Sequence, residues 1–217
     1  MQIHYLSKVL TQHPNFSPGW HPQGIDCPLT GEKFGTILHI VVCNDAGYPL
    51  YDQPVWAEPV GAIIVPVDET GRIGFIETFR VAPPAKGNRS IYPPTELNQH
   101  GLLSLELPRG FPEQGEAPEE TARRETEEEM GIVVRDVVLL GENNTNTTFF
   151  LNNIPVWLAH VDKEATTLQS PDPIELIRKT KFFLVSEVMD LITSGRIVCG
   201  ITKAGLLHYL AWLQQGS

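Results

Sequence analysis

Cysteine is scarce in this chain of 217 residues, with three at positions 27, 43 and 199 and no CxxC spacing. An odd, scattered set excludes a disulfide framework and a cysteine zinc site, so free and largely buried thiols are expected. Basic residues are also short: 16 Lys plus Arg stand against 26 Asp plus Glu, for a formal charge of -10 and a pI of about 5.1. Such a balance does not hold nucleic acid through non-specific phosphate contacts, and an acidic enzyme acting on polyanions needs bridging cations. No apolar run reaches the roughly eighteen residues of a membrane span, so no membrane partner is expected. The opening MQIHYLSKVLTQHPNF lacks the charged start and unbroken apolar core of a signal peptide, and the expectation is a cytoplasmic protein. Repeats and low-complexity tracts are absent too. A hydrophobic fraction of 41% and a charged fraction of 19% suit a folded chain with one sizeable core and an appended arm.

Residues 12–35 are rich in Pro and Gly, and TILHIVVC (36–43) is the first convincing strand. We expect residues 1–55 to form an arm or small β-sheet, suited to pairing in a homodimer, and 56–217 to form the main domain. VGAIIVPV (60–67), the turn DETG and IGFIETF (73–79) predict a hairpin, followed by a Pro-punctuated loop from 81 to 102. LSLEL (103–107) predicts a strand leading into a helix that starts at Pro118 and stops at Gly131, residues suited to a first helical turn and a C-terminal cap. Strands at 132–140, 154–161 and 181–185 and helices at 186–194 and 202–214 complete the pattern. The last helix is expected to bury Leu206, Leu207, Leu210 and Leu213. The fold class is α/β (α+β) with a mixed sheet.

Residues 110–132, GFPEQGEAPEETARRETEEEMGI, hold eight of the 26 acids. Rows at i,i+4 account for some of them: Glu119 with Arg123, Glu120 with Arg124, Arg123 with Glu127 and Arg124 with Glu128. Glu125 and Glu129 face each other at i,i+4 with no basic residue in either row. At about 100° per residue, Glu125, Glu128 and Glu129 share an arc of roughly 100°, and Glu127 points away. Like-charge pairs and carboxylates in a last turn together cost on the order of 1 to 2 kcal/mol. A divalent cation removes that repulsion, and oxygen-rich carboxylates suit Mg²⁺ or Mn²⁺.

The same residues resemble the signature of the Nudix hydrolases: Gly, five residues, Glu, seven residues, then Arg-Glu-apolar-x-Glu-Glu-x-Gly-apolar. It maps without gaps onto Gly110, Glu116, Arg124, Glu125, Glu128, Glu129, Gly131 and Ile132, and Thr126 is the one departure, where an apolar residue is usual. The resemblance implies an α/β/α sandwich with a mixed sheet and hydrolysis of a nucleoside diphosphate linked to another moiety. It implies that Glu125, Glu128 and Glu129, with a backbone oxygen at Gly110, hold the divalent ions that neutralise the pyrophosphate and activate a water. Glu116, Arg124 and Gly131 become structural members of the box.

Outside the box, GAIIVPVDETGRIGFIETFR, LELPRG and the C-terminal helices resemble the ADP-ribose pyrophosphatase branch, in which LELPRG answers to Glu-Leu-Pro-Ala-Gly. That similarity implies ADP-ribose or a nucleoside diphosphate sugar as the small-molecule substrate. It makes Arg80, Glu106 and Arg109 candidates for substrate binding, against a plain surface pair of Arg80 with Glu77. Glu128 and Glu175 are the candidate catalytic carboxylates, with Glu164 and Glu142 as competitors. Two features depart from the branch: Thr147 or Thr148 stands where a proline often marks it, and the 81–102 segment is inserted. A non-catalytic ligand sensor and a Nudix enzyme for nucleoside triphosphates are the alternatives.

Overall fold

The computed structural model describes residues 2–5, 24–26, 33–46, 48–80, 102–169 and 177–216. The chain divides into two compact units, Met1–Val60 with Asn144–Ile154, and Gly61–Asn143 with Pro155–Ser217. In the first unit β1 (Gln2–Tyr5), β2 (Gly24–Asp26) and β4 (Pro49–Ala57) all pair antiparallel with β3 (Lys33–Cys43). Ile40, Val42 and Val55 form its buried cluster. Asn44 shapes the β3–β4 turn, its Oδ1 accepting from the N–H groups of Ala46 and Tyr48 at 3.0 Å each. Strand β4 escapes sequence patterning because Pro49 and Pro54 interrupt it, and proline is tolerated where a strand edge needs no donor.

The polar run at 144–150 belongs to this unit as turn chemistry. Asn144 Oδ1 accepts from Asn146 N at 3.0 Å and Asn146 Oδ1 from Thr148 N at 3.1 Å, so each amide mimics a backbone turn. Backbone bonds from Trp56 N to Phe149 O at 2.7 Å and from Leu151 N to Trp56 O at 3.1 Å stitch the segment to β4.

The second unit holds β5 (Ala62–Val67), β6 (Ile73–Arg80), β7 (Leu102–Glu106), β8 (Arg109–Gly110), α1 (Pro118–Met130), β9 (Ile132–Asn143), β10 (Ile154–Thr166), β11 (Ile177–Phe183), α2 (Val185–Thr193) and α3 (Gly200–Gln214). Its seven-stranded sheet runs β11-β6-β5-β10-β9, with β7 on β6 and β8 on β5. The sheet is mixed, since β10 runs parallel to β5 and β6 antiparallel. AIIVPV in β5 is buried at every position, as a strand covered on both faces must be. On one face Ala122 and Met130 of α1 pack with Ala62, Ile64, Ile76 and Ala159. On the other, a Cβ at Gly205 of α3 would stand 2.7 Å from Leu107 Cδ1 and 2.9 Å from Ile63 Cγ2. The expected α/β/α layering with a small antiparallel sheet is therefore present.

Helix α1 keeps its expected limits. Pro118 opens it, Glu120 Oε2 accepts from Ala117 N at 3.0 Å, and Gly131 closes it at φ 70 with its N–H on Glu127 O. The buried face of α3 departs from expectation. Thr202, Gly205, Leu206 and Tyr209 are buried, whereas Leu207 is 68% exposed and Leu213 40% exposed. The helix meets the sheet at Gly205, which permits close approach; Leu206 beside it is buried as expected, while Leu207 and Leu213 point outward.

Candidate active site

Strand β8 brings the start of the acidic box onto the sheet, with Ala62 paired to Gly110 and Ile63 to Arg109. Helix α1 then folds back so that two carboxylates one turn apart reach β8. Glu125, buried at 8% exposure, lies against the Gly110 α-carbon: a Cβ there would stand 2.0 Å from its Cδ and its Oε1. Only glycine fits. Glu129, 1% exposed, accepts at Oε2 from Arg109 N at 3.1 Å. A neighbour outside the motif shapes the same spot, since a Cβ on Gly61 would fall 2.6 Å from the Gly110 carbonyl oxygen. Sequence reasoning misses Gly61, whose only signal is its place immediately before an all-apolar strand.

Arg124 ties the box together. Its Nε and Nη2 donate to the two oxygens of Glu116 at 2.8 and 3.0 Å, its Nη2 to Phe111 O at 2.8 Å, and its Nη1 to Glu128 Oε2 at 2.8 Å. The same Nη1 lies 2.9 Å from Glu125 Oε1. Glu116 also accepts from Glu113 N at 2.8 Å and Thr121 Oγ1 at 2.9 Å. The Arg124 guanidinium, helped by those donors, holds the Glu116 carboxyl at about 2 despite burial. The cluster of acids around Arg124 correspondingly raises its pKa.

This network corrects the expected ion-pair rows. Of the four, the Arg124–Glu128 pair forms. Glu120 caps the Ala117 N–H, Arg123 donates to Val134 O, and Glu127 Oε1 accepts from Val134 N at 3.1 Å. Glu125, expected to have no basic partner, takes its own chain neighbour Arg124. A long arginine side chain is not confined to the i,i+4 ladder, and the chelating Glu116 in the preceding loop draws it along the helix. Thr126, the departure from the motif, is fully buried with its hydroxyl donating to Ala122 O at 2.7 Å, so its polarity is met within the helix.

Among the described residues no three His, Cys, Asp or Glu side chains are arranged to hold a metal ion. The box carboxylates turn instead to the donors at hand, Arg124 and the Arg109 N–H. The residues nonetheless fit a divalent cation. Glu125 and Glu128 both reach one nitrogen of Arg124, at 2.9 and 2.8 Å, which brings the two carboxylates together. Gly110 cradles the Glu125 carboxylate as no other residue could, and all the donors are hard oxygens. Glu128, with 38% of its side chain exposed, faces outward with Glu116 and Arg124 onto a groove of about 480 Å³ that Thr167 and Leu168 also line.

The candidate substrate residues come together next to β8. Glu106 Oε2 accepts from Arg80 Nε at 3.1 Å and lies 3.2 Å from Arg109 Nη2. Arg80 thus pairs with Glu106, while Glu77 pairs with Lys181. Glu175 and residues 81–101 lie outside the described residues, and Glu164 and Glu142 are exposed.

The NUDIX domain model matches residues 59–197. A solved structure described as "Crystal structure of ADP compounds hydrolase" shares 18% identity over 89% of this chain and 92% of its own, with a TM-score of 0.63, a likeness of fold. No curated protein matches the sequence. A match over well more than half of the chain, enclosing a complete box from Gly110 to Ile132, means that this chain belongs to the Nudix family of pyrophosphohydrolases.

Proposed function

We propose that this enzyme hydrolyses the pyrophosphate bond of a nucleoside diphosphate linked to another moiety, with ADP-ribose or a nucleoside diphosphate sugar as substrate, using Mg²⁺ or Mn²⁺. The observation that carries the reading is the seating of Glu125 on Gly110 while it shares Arg124 with Glu128. Glu125, Glu128, Glu129 and the Gly110 carbonyl are the atoms that would hold the metal. Bound there, it would neutralise the pyrophosphate and make a coordinated water more acidic.

The chain's own residues prepare that chemistry. Glu116 and Arg124 fix the orientation of Glu125 and Glu128, and the Arg109 N–H fixes Glu129. Glu128 is the most exposed of the three box carboxylates and a candidate to take the proton of the attacking water, with Glu175 as the competing base. Water oxygen bonds to one phosphorus, the bridging P–O bond breaks, and the products are a nucleoside monophosphate and the phosphorylated moiety. Arg80 and Arg109 offer charge to the substrate's phosphates. Residues 1–55 are read as a subunit-pairing arm, 56–217 as the hydrolase domain, and the setting as cytoplasmic.

The solved ADP compounds hydrolase lends support to the nucleotide class. The test is a panel of nucleoside diphosphate compounds assayed with Mg²⁺ and Mn²⁺. ADP-ribose or a nucleoside diphosphate sugar should turn over fastest, and no turnover of any member by metal-loaded enzyme would refute the reading.

A further inference from the structure

Strands β5 and β6 are joined at Val67 and Ile73, and further along each takes a different partner. Strand β6 pairs with β7 from Ile76 to Arg80, while β5 pairs with β8 at Ala62 and Ile63. The chain passes from β7 to β8 through Leu107 and Pro108, both buried. A crossing of this kind leaves the sheet ladder, and each buried backbone donor in it must find a partner elsewhere.

Pro108 has no N–H to place, and its carbonyl accepts from Ile64 N at 3.0 Å. The Arg109 N–H donates to Glu129 Oε2 at 3.1 Å. The Leu107 N–H donates to Thr202 Oγ1, also at 3.1 Å, in the first turn of α3. A threonine hydroxyl is more often bonded to backbone close to it in sequence, whereas this one meets a strand end 95 residues earlier. Thr202 and Leu107 are each 1% exposed, so the bond is made away from water. Gly205, on the same buried face of α3, lies over the Leu107 side chain, where a Cβ would stand 2.7 Å from its Cδ1. Helix α3 therefore holds Leu107 by main chain and side chain together.

Arg109 follows that hold by two positions and Gly110 by three. The first fixes Glu129 through its N–H, and the second seats Glu125, whose carboxylate already fills the space of a Cβ. Neither contact survives a slide of β8. We propose that Thr202 is a positioning residue for the box carboxylates: its hydroxyl fixes the depth of the crossing and, through it, the place at which β8 meets Glu125 and Glu129. The inference rests on the hydrolase reading above only where metal affinity or turnover is measured.

Thr202→Val keeps the shape of the side chain and removes the acceptor, leaving the Leu107 N–H buried without a partner. That state is costly and is relieved by movement of the crossing. In amide hydrogen exchange followed by NMR, the Arg109 amide of Thr202→Val should exchange at least about tenfold faster than in wild type, with the α1 amides unchanged as internal reference. Calorimetric Mn²⁺ affinity should fall about tenfold, and kcat for ADP-ribose by about 10- to 100-fold with KM changed less. Thr202→Ser, which keeps the hydroxyl, should restore all three. Equal acceleration at Arg109 and along α1 would show general destabilisation and overturn the proposal. Wild-type exchange at Arg109, unchanged Mn²⁺ affinity, or no rescue by Thr202→Ser would overturn it as well. If wild type neither binds Mn²⁺ nor turns over any nucleoside diphosphate compound, the hydrolase reading fails by itself, and exchange at Arg109 still decides the role of Thr202. Should Thr202→Val not fold, Thr202→Ala, which also lacks the hydroxyl, carries the same comparison.

Discussion

Replacing Gly110 by alanine tests the geometry on which the active-site reading depends. The added Cβ would stand 2.0 Å from Glu125 Cδ and Oε1 and 2.3 Å from Oε2, so the carboxylate must leave β8 by well over an ångström. Displacement of a positioned group by about 1 Å costs on the order of 100-fold in rate. Overpacking a buried site costs about 1 to 3 kcal/mol, which in a chain of this size lowers Tm by roughly 2 to 12 °C. Gly110→Ala should therefore fold, bind Mn²⁺ at least tenfold more weakly by calorimetry, and lose about 100-fold in kcat. Gly115→Ala is the control from the same loop. Gly115 sits at φ +85 with nothing within 4 Å, so alanine there incurs backbone strain of about 1 kcal/mol and spares metal binding. A Gly110→Ala protein with wild-type kcat and Mn²⁺ affinity would refute the seating of Glu125 on β8.

Further expectations concern the other members of the box and its support. Glu129→Gln removes a buried anion while keeping the shape, and should lower turnover by about 100-fold or more with circular dichroism unchanged. Full activity would exclude Glu129 as a functional carboxylate. Glu116→Gln should destabilise the protein at neutral pH, because a carboxyl lowered from 4.5 to about 2 contributes stability that is complete above its unfolded value. Worth on the order of 3 kcal/mol, that contribution fades as pH falls from about 4.5 to about 2, so the Tm curves of variant and wild type should converge in acid. Parallel curves would contradict the Arg124–Glu116 pairing. Gly205→Ala gains up to about 1 kcal/mol of helix propensity but drives a methyl into Leu107 and Ile63, each 1% exposed. A net loss of about 1 kcal/mol in denaturant midpoint is expected, and a gain would mean that α3 can shift on the sheet.

Local chemistry made part of this protein readable from its residues in order. Pro118 and Gly131 bound α1 because a proline without an N–H suits a first turn and a glycine suits the left-handed cap at φ 70. The hairpin of β5 and β6 follows from apolar runs around a turn in which Asp68 Oδ1 accepts from the N–H groups of Thr70 at 2.8 Å and Arg72 at 2.9 Å. Short β8, proline-broken β4 and the glycine face of α3 carry no such signature, since each is defined by what packs against it.

The spacing of Glu125, Glu128 and Glu129 was enough by itself to set three carboxylates on one arc of a helix, because helical periodicity is a local property of the backbone. Which cation answers them was decided by tertiary structure. Arg124 passes over its expected partner Glu120 for Glu116, eight residues back in the loop, and Arg80 passes over Glu77 for Glu106, 26 residues on. Long side chains choose among all the charges that folding brings within reach, and that choice depends on distances across strands and loops that no periodicity encodes.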